Sequence, residues 1–232
     1  MPGQTKITTI LLAAGGSTRM NGVDKIVAPL FGRPLLEYSL EQLAKSPSID
    51  SIIVVAGETN AGAVSAIAMR APTDKISAIC TGGTRRQDSV RAGLDHVRDA
   101  THILVHDGAR PLLDYPLVSR TVEAASTYDA AIAAVPVKDT IKMANDDMTV
   151  LQTVPRDRLW AVQTPQIFKA DLLRTAHRTI DCDVTDDASM VEMLGHQVKL
   201  FMGSYENLKV TTPEDIAMAE AILRSRSKVV AQ

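Results

Sequence analysis

The chain has 232 residues, of which 45% are apolar and 22% charged, and its formal charge is −2. This length and composition suit one α/β domain with a buried core, and the nearly balanced charge lacks the basic excess typical of nucleic-acid-binding proteins. Two cysteines without a C-x-x-C spacing, no secretory leader and no run of about 18 apolar residues predict a cytoplasmic protein that does not enter a membrane.

Short apolar runs alternate with amphipathic stretches over the first 136 residues. The runs ITTILLAA, SIIVVAG, KISAICTGG and HILVHDGA are each followed by a helix-like segment, and DAAIAAVPV closes the series. Apolar runs without polar alternation are typical of strands buried on both faces, so this rhythm predicts a mostly parallel, doubly wound sheet flanked by helices. The loops after residues 12, 55, 80, 105 and 135 should share the sheet edge at which such folds bind ligands.

The rhythm changes near residue 137. KDTIKMANDDMTVLQTVPRDRLWAVQTPQIF alternates apolar and polar positions around the turn-like ANDD, which predicts a projecting β-arm, about residues 137–160, that contacts a partner subunit. Helices in ADLLRTAHRTI and DASMVEMLGHQ follow, then a strand in VKLFMG. A closing helix should begin at Pro213, with Thr212 as its N-cap.

The segment TTILLAAGGSTRM, residues 8–20, joins a strand to a small-residue loop that ends in Arg19, and Lys25 follows. Exposed backbone amides and cations bind anions, so the loop could hold phosphates. The loop matches neither common glycine-rich phosphate fingerprint, and a simple glycine turn with two solvated cations explains it equally well on its own.

A second loop, TGGTRRQDSVRAG at residues 81–93, repeats the scheme with Gly82, Gly83 and Ser89. The paired glycines allow a base or phosphate to approach closely, and the serine offers a hydroxyl. An ordinary helix cap would give the same local pattern. Two such loops at one sheet edge favour a ligand.

Asp107 ends the strand of ILVHDGARPLL, beside Arg110. A carboxylate there suits Mg²⁺, which takes few protein ligands and keeps water and substrate phosphates for the rest. His106 reads as a structural residue, and the histidines show no zinc-ligand spacing.

Several later residues admit two interpretations. Lys209 is either a phosphate-binding cation or a surface lysine, and Asp186 and Asp187 are either metal ligands or, as we prefer, carboxylates at a helix start. No combination of side chains resembles an activated nucleophile. This fits phosphoryl or nucleotidyl transfer, in which a substrate phosphate attacks and the protein supplies position and positive charge.

Seven segments in order resemble one family: LLAAGGSTRM, GGTRRQDSVRAGL, ILVHDGARPLL, AAVPVKDTIK, LWAVQTPQIF, VTDDASMVE and NLKVTTPEDIAMAE. Together they are similar to the 2-C-methyl-D-erythritol 4-phosphate cytidylyltransferases of the non-mevalonate isoprenoid pathway. The resemblance implies a Rossmann-like nucleotidyltransferase fold over a single domain, residues 1–232, and a homodimer formed through the arm. It also implies CMP transfer from CTP to 2-C-methyl-D-erythritol 4-phosphate, with Mg²⁺ and release of pyrophosphate.

The resemblance also implies roles for individual residues. Arg19, Lys25, Arg156 and Lys209 would be catalytic, with Arg156 reaching the neighbouring subunit's site. The nucleotide would be held by Ala13, Ala14, Gly15, Gly82, Gly83 and Ser89. Asp107 would bind Mg²⁺ at the substrates, and the acceptor would contact Arg110, Thr140, Thr164 and Thr185. Arg158 is the rival of Arg156, whose spacing to Leu159 and Trp160 fits better.

Three positions depart from the family pattern. Ser17 stands where a second glycine is usual, Lys25 follows Asp24 rather than proline, and Gly108 replaces an alanine. Two alternatives stay open. The acceptor could be D-ribitol 5-phosphate, a polyol phosphate of similar size, or the chain could be a non-catalytic nucleotide-binding protein on the same scaffold. Guanylyl transfer to a molybdenum cofactor fits the GGTRRQDSV loop less well.

Overall fold

The computed structural model describes residues 5–15 and 24–230. The strands β1 to β11 are Ile7–Ala13, Pro29–Leu30, Arg33–Pro34, Ser51–Ala56, Ile76–Thr81, His102–Asp107, Ala130–Pro136, Ile141–Ala144, Val150–Val154, Trp160–Lys169 and Lys199–Met202. The helices α1 to α7 are Leu35–Lys45, Ala61–Arg70, Arg86–Leu94, Tyr115–Ala125, Ala170–Thr179, Asp187–Met193 and Pro213–Val230.

Seven strands form the central sheet in the order β11-β7-β10-β6-β1-β4-β5. Neighbouring strands are parallel except at β10, which runs antiparallel to both β6 and β7. The predicted mostly parallel sheet is therefore confirmed. The carboxyl ends of β1, β4, β5, β6 and β7 meet at one edge, as expected, and this edge holds the residues discussed below.

The apolar runs form the centre of the sheet because both of its faces are covered. All seven residues of β1 are buried. Leu11 faces a layer that includes Leu40 of α1, whereas its neighbour Ile10 faces a layer that includes Val90 of α3 and Leu173 of α5. Burial on both faces explains why these strands show no polar alternation.

The arm is a separate two-stranded sheet of β8 and β9, joined through a turn at residues 145–149. Its side chains are largely exposed, including those of Met143, Met148, Val150 and Leu151. The hairpin predicted around ANDD is thus confirmed. The hairpin lies within the predicted arm of about residues 137–160, and WAVQTPQIF, which follows it, lies in β10 between two strands of the main sheet.

The closing helix begins at Pro213, as the sequence predicts. The Asp215 carboxylate accepts hydrogen bonds from the backbone N–H groups of Thr211 and Thr212, at 2.8 and 2.9 Å. This return contact fixes the chain entering the helix, a few residues after Lys209. Among the described helices, none is long and apolar enough to span a membrane.

Candidate active site

Asp107 ends β6 at the ligand-binding edge of the sheet and is 7% exposed. Its Oδ2 accepts a hydrogen bond from Lys209 Nζ at 2.7 Å, and its Oδ1 accepts one from Arg86 Nε at 3.3 Å. The backbone N–H of Val210 donates to the carbonyl of Ala109, which holds the segment carrying Lys209 beside the end of β6. Two cations from distant parts of the chain thus meet one carboxylate.

The charge state of Asp107 follows from these neighbours. Burial alone would raise the pKa of the carboxyl, because it penalises the charged form. The charges of Arg86 and Lys209 outweigh burial and hold the pKa of Asp107 well below its ordinary value. Asp107 is therefore an anion at neutral pH.

Two clefts meet at this carboxylate. The first has a volume of about 260 Å³ and is lined by Ala14, Gly15, Lys25, Gly83 and Ser89, among others. The second, of about 430 Å³, is lined by Arg110, Thr164 and Thr185, among others. Both clefts also include Arg86, Asp107 and Lys209 in their walls. The groups expected to hold the nucleotide and those expected to hold the acceptor therefore lie on opposite sides of one charged junction.

Close packing accounts for the two glycines of the second loop. A Cβ placed on Gly82 would lie 2.5 Å from Ser89 Oγ and 2.9 Å from Ala14 Cβ, and one on Gly83 would lie 2.5 Å from Asp88 Cβ. A larger residue at Gly82 would push the two loops of the first cleft apart. Gly82 itself is not part of the cleft wall.

The first loop is braced by Asn60, which lies between β4 and α2. Asn60 donates from Nδ2 to the carbonyl of Ala13 at 2.9 Å and to Asp24 Oδ2 at 2.5 Å, and its Oδ1 accepts from the N–H of Gly57 at 2.8 Å. Ala13 is fully buried, and its carbonyl contributes to this brace. Asn60 thus joins the ends of β1 and β4 to the residue that precedes Lys25.

Lys25 reaches the first loop, since a Cβ placed on Gly15 would lie 3.7 Å from Lys25 Nζ. Lys25 and Gly15 are both part of the wall of the first cleft. Arg19 and Ser17 fall outside the described residues.

The second cleft contains a buried arginine. Arg110 donates from Nη1 to the carbonyl of Asn207 at 2.7 Å, and burial lowers the pKa of its guanidinium. Thr164 Oγ1 accepts from the backbone N–H of Asp107 at 3.0 Å and lies 3.1 Å from His106 Nδ1. Burial lowers the pKa of His106 to about 3. His106 is therefore neutral and supports the site from inside, as predicted.

Thr140 and Arg156 are exposed, Thr140 just before β8 and Arg156 in a short 3₁₀ turn after β9. Arg156 donates from Nη1 to the carbonyl of Lys138. Neither residue forms part of the two clefts in this chain. The rival Arg158 is exposed in the same turn.

The two aspartates at the start of α6 differ in role. Asp186 caps the helix by accepting from the N–H of Ser189 at 3.0 Å, as we predicted. Asp187 is buried and binds Arg86 Nη1 at 2.7 Å and His177 Nε2 at 2.9 Å. The expectation that Asp187 serves as a helix-start charge was incomplete. Within residues 5–15 and 24–230, no group of three or more His, Cys, Asp or Glu side chains could hold a metal ion.

A family model described as 2-C-methyl-D-erythritol 4-phosphate cytidylyltransferase matches residues 7–225. The chain belongs to this cytidylyltransferase family. A relative of that name from Dehalococcoides mccartyi is 45% identical over 219 residues, which cover 94% of this chain and 96% of the relative. Another from Clostridium novyi is 41% identical over 226 residues, covering 95% and 98% of the two chains.

Solved structures agree with this assignment. A crystal structure of a 4-diphosphocytidyl-2C-methyl-D-erythritol synthase from Anaerococcus prevotii matches with a TM-score of 0.83 at 32% identity, covering 95% of this chain and 99% of that one. The cytidylyltransferase from Thermus thermophilus matches with a TM-score of 0.76, also at 32% identity, over 95% and 100% of the two chains. The resemblance and the α/β nucleotidyltransferase fold inferred from the sequence are confirmed.

Sequence reasoning missed two residues of this cytidylyltransferase site. Arg86 was passed over because it follows another arginine, Arg85, and nothing in the local pattern distinguishes the two. Asn60 was missed because its three partners lie on two other segments and on the turn before it. A polar residue at the first turn of an apolar helix was the available signal for Asn60.

Proposed function

We propose that the chain transfers CMP from CTP to 2-C-methyl-D-erythritol 4-phosphate, giving 4-diphosphocytidyl-2-C-methyl-D-erythritol and pyrophosphate. Family membership supports the reaction, and one geometric observation supports its location. The two clefts share a junction formed by Asp107, Lys209 and Arg86. A reaction between two phosphate groups needs both substrates to meet at such a point.

The first cleft is proposed to hold CTP. The backbone of residues 13–15 and Gly83 would lie along the nucleotide, with Ser89 and Gly82 supporting the loop against the base. Lys25 and Arg19 would stabilise the negative charge that develops as the α-phosphorus is attacked and pyrophosphate leaves. Cations placed in advance where charge develops are a large source of catalysis in such transfers.

The second cleft is proposed to hold the acceptor, with Arg110, Thr164 and Thr185 on its walls. An oxygen of the acceptor phosphate attacks the α-phosphorus of CTP, a new P–O bond forms, and the bond to the β-phosphate oxygen breaks. Lys209, at the junction, would neutralise and position the phosphates during this exchange. Positioning and charge carry the reaction, so the site needs no activated protein nucleophile.

We propose Mg²⁺ as the cation that accompanies the nucleotide, held by Asp107. The donor set fits: a buried carboxylate accepts two hydrogen bonds here and has about four lone-pair positions, and Mg²⁺ commonly binds through one or two carboxylates plus phosphates and water. When bound, the ion would neutralise phosphate charge. A chelator should abolish turnover, and unchanged rates would remove Asp107 from this role.

The arm is proposed to complete the site of a second subunit in a homodimer. Arg156 and Thr140 carry polar groups on an exposed arm and lie outside this chain's own clefts, so a role at the acceptor phosphate requires a neighbouring chain. The exposed apolar side chains of β8 and β9 would be covered in such a dimer.

The whole chain, residues 1–232, is proposed to act as one catalytic domain in the cytoplasm. Cys80 and Cys182 form no disulfide, which agrees with a reducing compartment.

Product analysis tests the proposed reaction. Incubation with CTP, Mg²⁺ and 2-C-methyl-D-erythritol 4-phosphate should yield the cytidine diphosphate conjugate by mass spectrometry. Lys25→Ala should lower kcat by orders of magnitude while CTP still binds. A protein that binds the nucleotide without catalysing the transfer would give no conjugate, either as the unsubstituted chain or as Lys25→Ala.

A further inference from the structure

Arg86 lies within a buried ionic chain that the proposed mechanism does not use. The chain runs from His177 to Asp187, from Asp187 to Arg86, from Arg86 to Asp107 and from Asp107 to Lys209, with successive N–O distances of 2.9, 2.7, 3.3 and 2.7 Å. It joins α5, α6, α3, β6 and the segment before α7. It therefore links the helices behind the sheet to the junction of the two clefts.

The two cations on Asp107 differ in their freedom to move. Arg86 is clamped between two carboxylates, and its side chain is 24% exposed. Lys209 is at the end of the chain of ion pairs, is 37% exposed, and binds through one ammonium on a flexible stem. Lys209 can therefore leave Asp107 for a phosphate while Arg86 stays.

A carboxylate buried without any cation is strongly unfavourable. If Lys209 were the sole partner of Asp107, its departure toward a phosphate before a metal ion binds would leave such a group. Arg86 removes this obstacle because it remains on the other oxygen. We propose that Arg86 is a positioning residue for the transfer: it holds Asp107 so that Lys209 is released to the substrate phosphates, and Asp187 with His177 holds Arg86.

The three nitrogens of the Arg86 guanidinium have different surroundings. Its Nη2 is buried and has no hydrogen-bond partner among the described residues. An unpaired buried donor destabilises the folded state. The other two nitrogens are paired, Nε with Asp107 and Nη1 with Asp187, so the two carboxylates orient the guanidinium.

This inference rests on the proposed function, in which Lys209 contacts phosphates. Its test is the affinity for CTP measured by calorimetry in metal-free buffer, so that a metal at Asp107 does not enter. Four proteins are compared: the unsubstituted chain, Arg86→Gln, Asp107→Asn and the double variant. Arg86→Gln should weaken CTP binding, because Lys209 then becomes the sole partner of Asp107.

The double variant gives the decisive comparison. Asp107→Asn should raise CTP affinity in the Arg86→Gln background, because it releases Lys209. This factor of increase should be at least about fivefold larger than the factor by which Asp107→Asn changes the affinity of the unsubstituted chain. Because Asp107→Asn also removes a buried charge that Arg86→Gln leaves with one cation fewer, thermal unfolding of the four proteins is measured in parallel, and affinities are compared only between proteins that are folded at the temperature of the titration. Equal effects of Asp107→Asn in both backgrounds, or absence of CTP binding by the unsubstituted chain in metal-free buffer, would overturn the inference and leave the proposed function standing. Absence of CTP binding by the unsubstituted chain with Mg²⁺ present as well would overturn both.

Two further variants test whether the loss of CTP affinity in Arg86→Gln is specific to Arg86. Arg174→Gln removes a partly buried arginine that donates to the carbonyls of Leu94 and Val97 at 3.1 and 2.7 Å, outside the chain of ion pairs, and should leave CTP affinity unchanged. Arg86→Lys keeps one positive charge and should recover part of the loss in both CTP affinity and kcat. Loss of affinity in Arg174→Gln equal to that in Arg86→Gln would overturn the assignment.

Discussion

The Asp107 carboxylate and the Lys209 ammonium lie 2.7 Å apart although 102 positions separate them in the sequence. The two residues lie where the two clefts meet, and each is part of the wall of both clefts. A cation at that point faces any phosphate that passes between the clefts. This relationship makes Lys209 the first residue to test.

Lys209→Gln should lower kcat by about 10²-fold or more, because it removes a cation from the position where phosphate charge is exchanged. Steady-state pyrophosphate release measures the effect. Lys169→Gln is the matched control, since Lys169 forms a lysine–aspartate pair of similar length, 2.8 Å to Asp129, on the exposed surface. Such exposed pairs contribute little, so comparable losses in the two variants would refute a catalytic role for Lys209.

Subunit complementation tests the arm. Arg156→Ala and Lys25→Ala chains should each be inactive alone, and an equal mixture that exchanges subunits should recover about a quarter of the unsubstituted activity. The figure follows because half of the randomly formed dimers are mixed and each mixed dimer has one intact site. Failure to recover activity after demonstrated subunit exchange would show that each site is built from one chain. Arg158→Ala in place of Arg156→Ala should not be inactive alone.

Gly82→Ala should reduce both stability and CTP affinity, since the added methyl would lie 2.5 Å from Ser89 Oγ. Overpacking of this kind costs about 1–3 kcal/mol. Gly62→Ala is the control, because nothing lies within 4 Å of its Cβ position and alanine is favoured over glycine in a helix. Thermal unfolding and CTP titration of both variants measure the contrast, and a neutral Gly82→Ala would contradict the close packing of the two loops.

The stabilisation that Asp88 contributes should be lost as the pH falls. Hydrogen bonds from the Arg85 side chain lower the pKa of Asp88 from 3.8 to about 2. The stabilisation is fully present above pH 4 and is lost as the pH falls toward 2, because the unfolded chain takes up the proton first. Asp88→Asn should therefore unfold at a lower temperature than the unsubstituted chain at pH 7, with the difference shrinking below pH 4. A difference in unfolding temperature that stays the same between pH 7 and pH 2 would contradict this role of Asp88.

The sequence predicts the sheet well because its strands are buried on both faces and stand out as apolar runs. It also places Asp107 correctly, since a carboxylate directly after such a run must lie at the ligand-binding edge. The alternation itself does not show that β10 belongs to the main sheet, because the pattern around Gln163 and Gln166 looks the same in an arm as in a strand next to polar loops.

The sequence does not single out Arg86, for a different reason. Arg85 and Arg86 are adjacent and chemically identical, yet Arg85 binds Asp88, Asp181 and Asp183 near the surface, whereas Arg86 turns toward Asp107 and Asp187. Helix geometry separates neighbouring side chains by about 100°. Which of the two points inward depends on where α3 begins and on carboxylates 21 and 101 positions away, and neither is visible in the local pattern.

The most direct test of the account is the specificity constant for pyrophosphate release with CTP and Mg²⁺, compared between 2-C-methyl-D-erythritol 4-phosphate and D-ribitol 5-phosphate. We expect a strong preference for the methylerythritol phosphate, with product formation matching pyrophosphate release. A preference for ribitol phosphate, or release with neither acceptor, would contradict it.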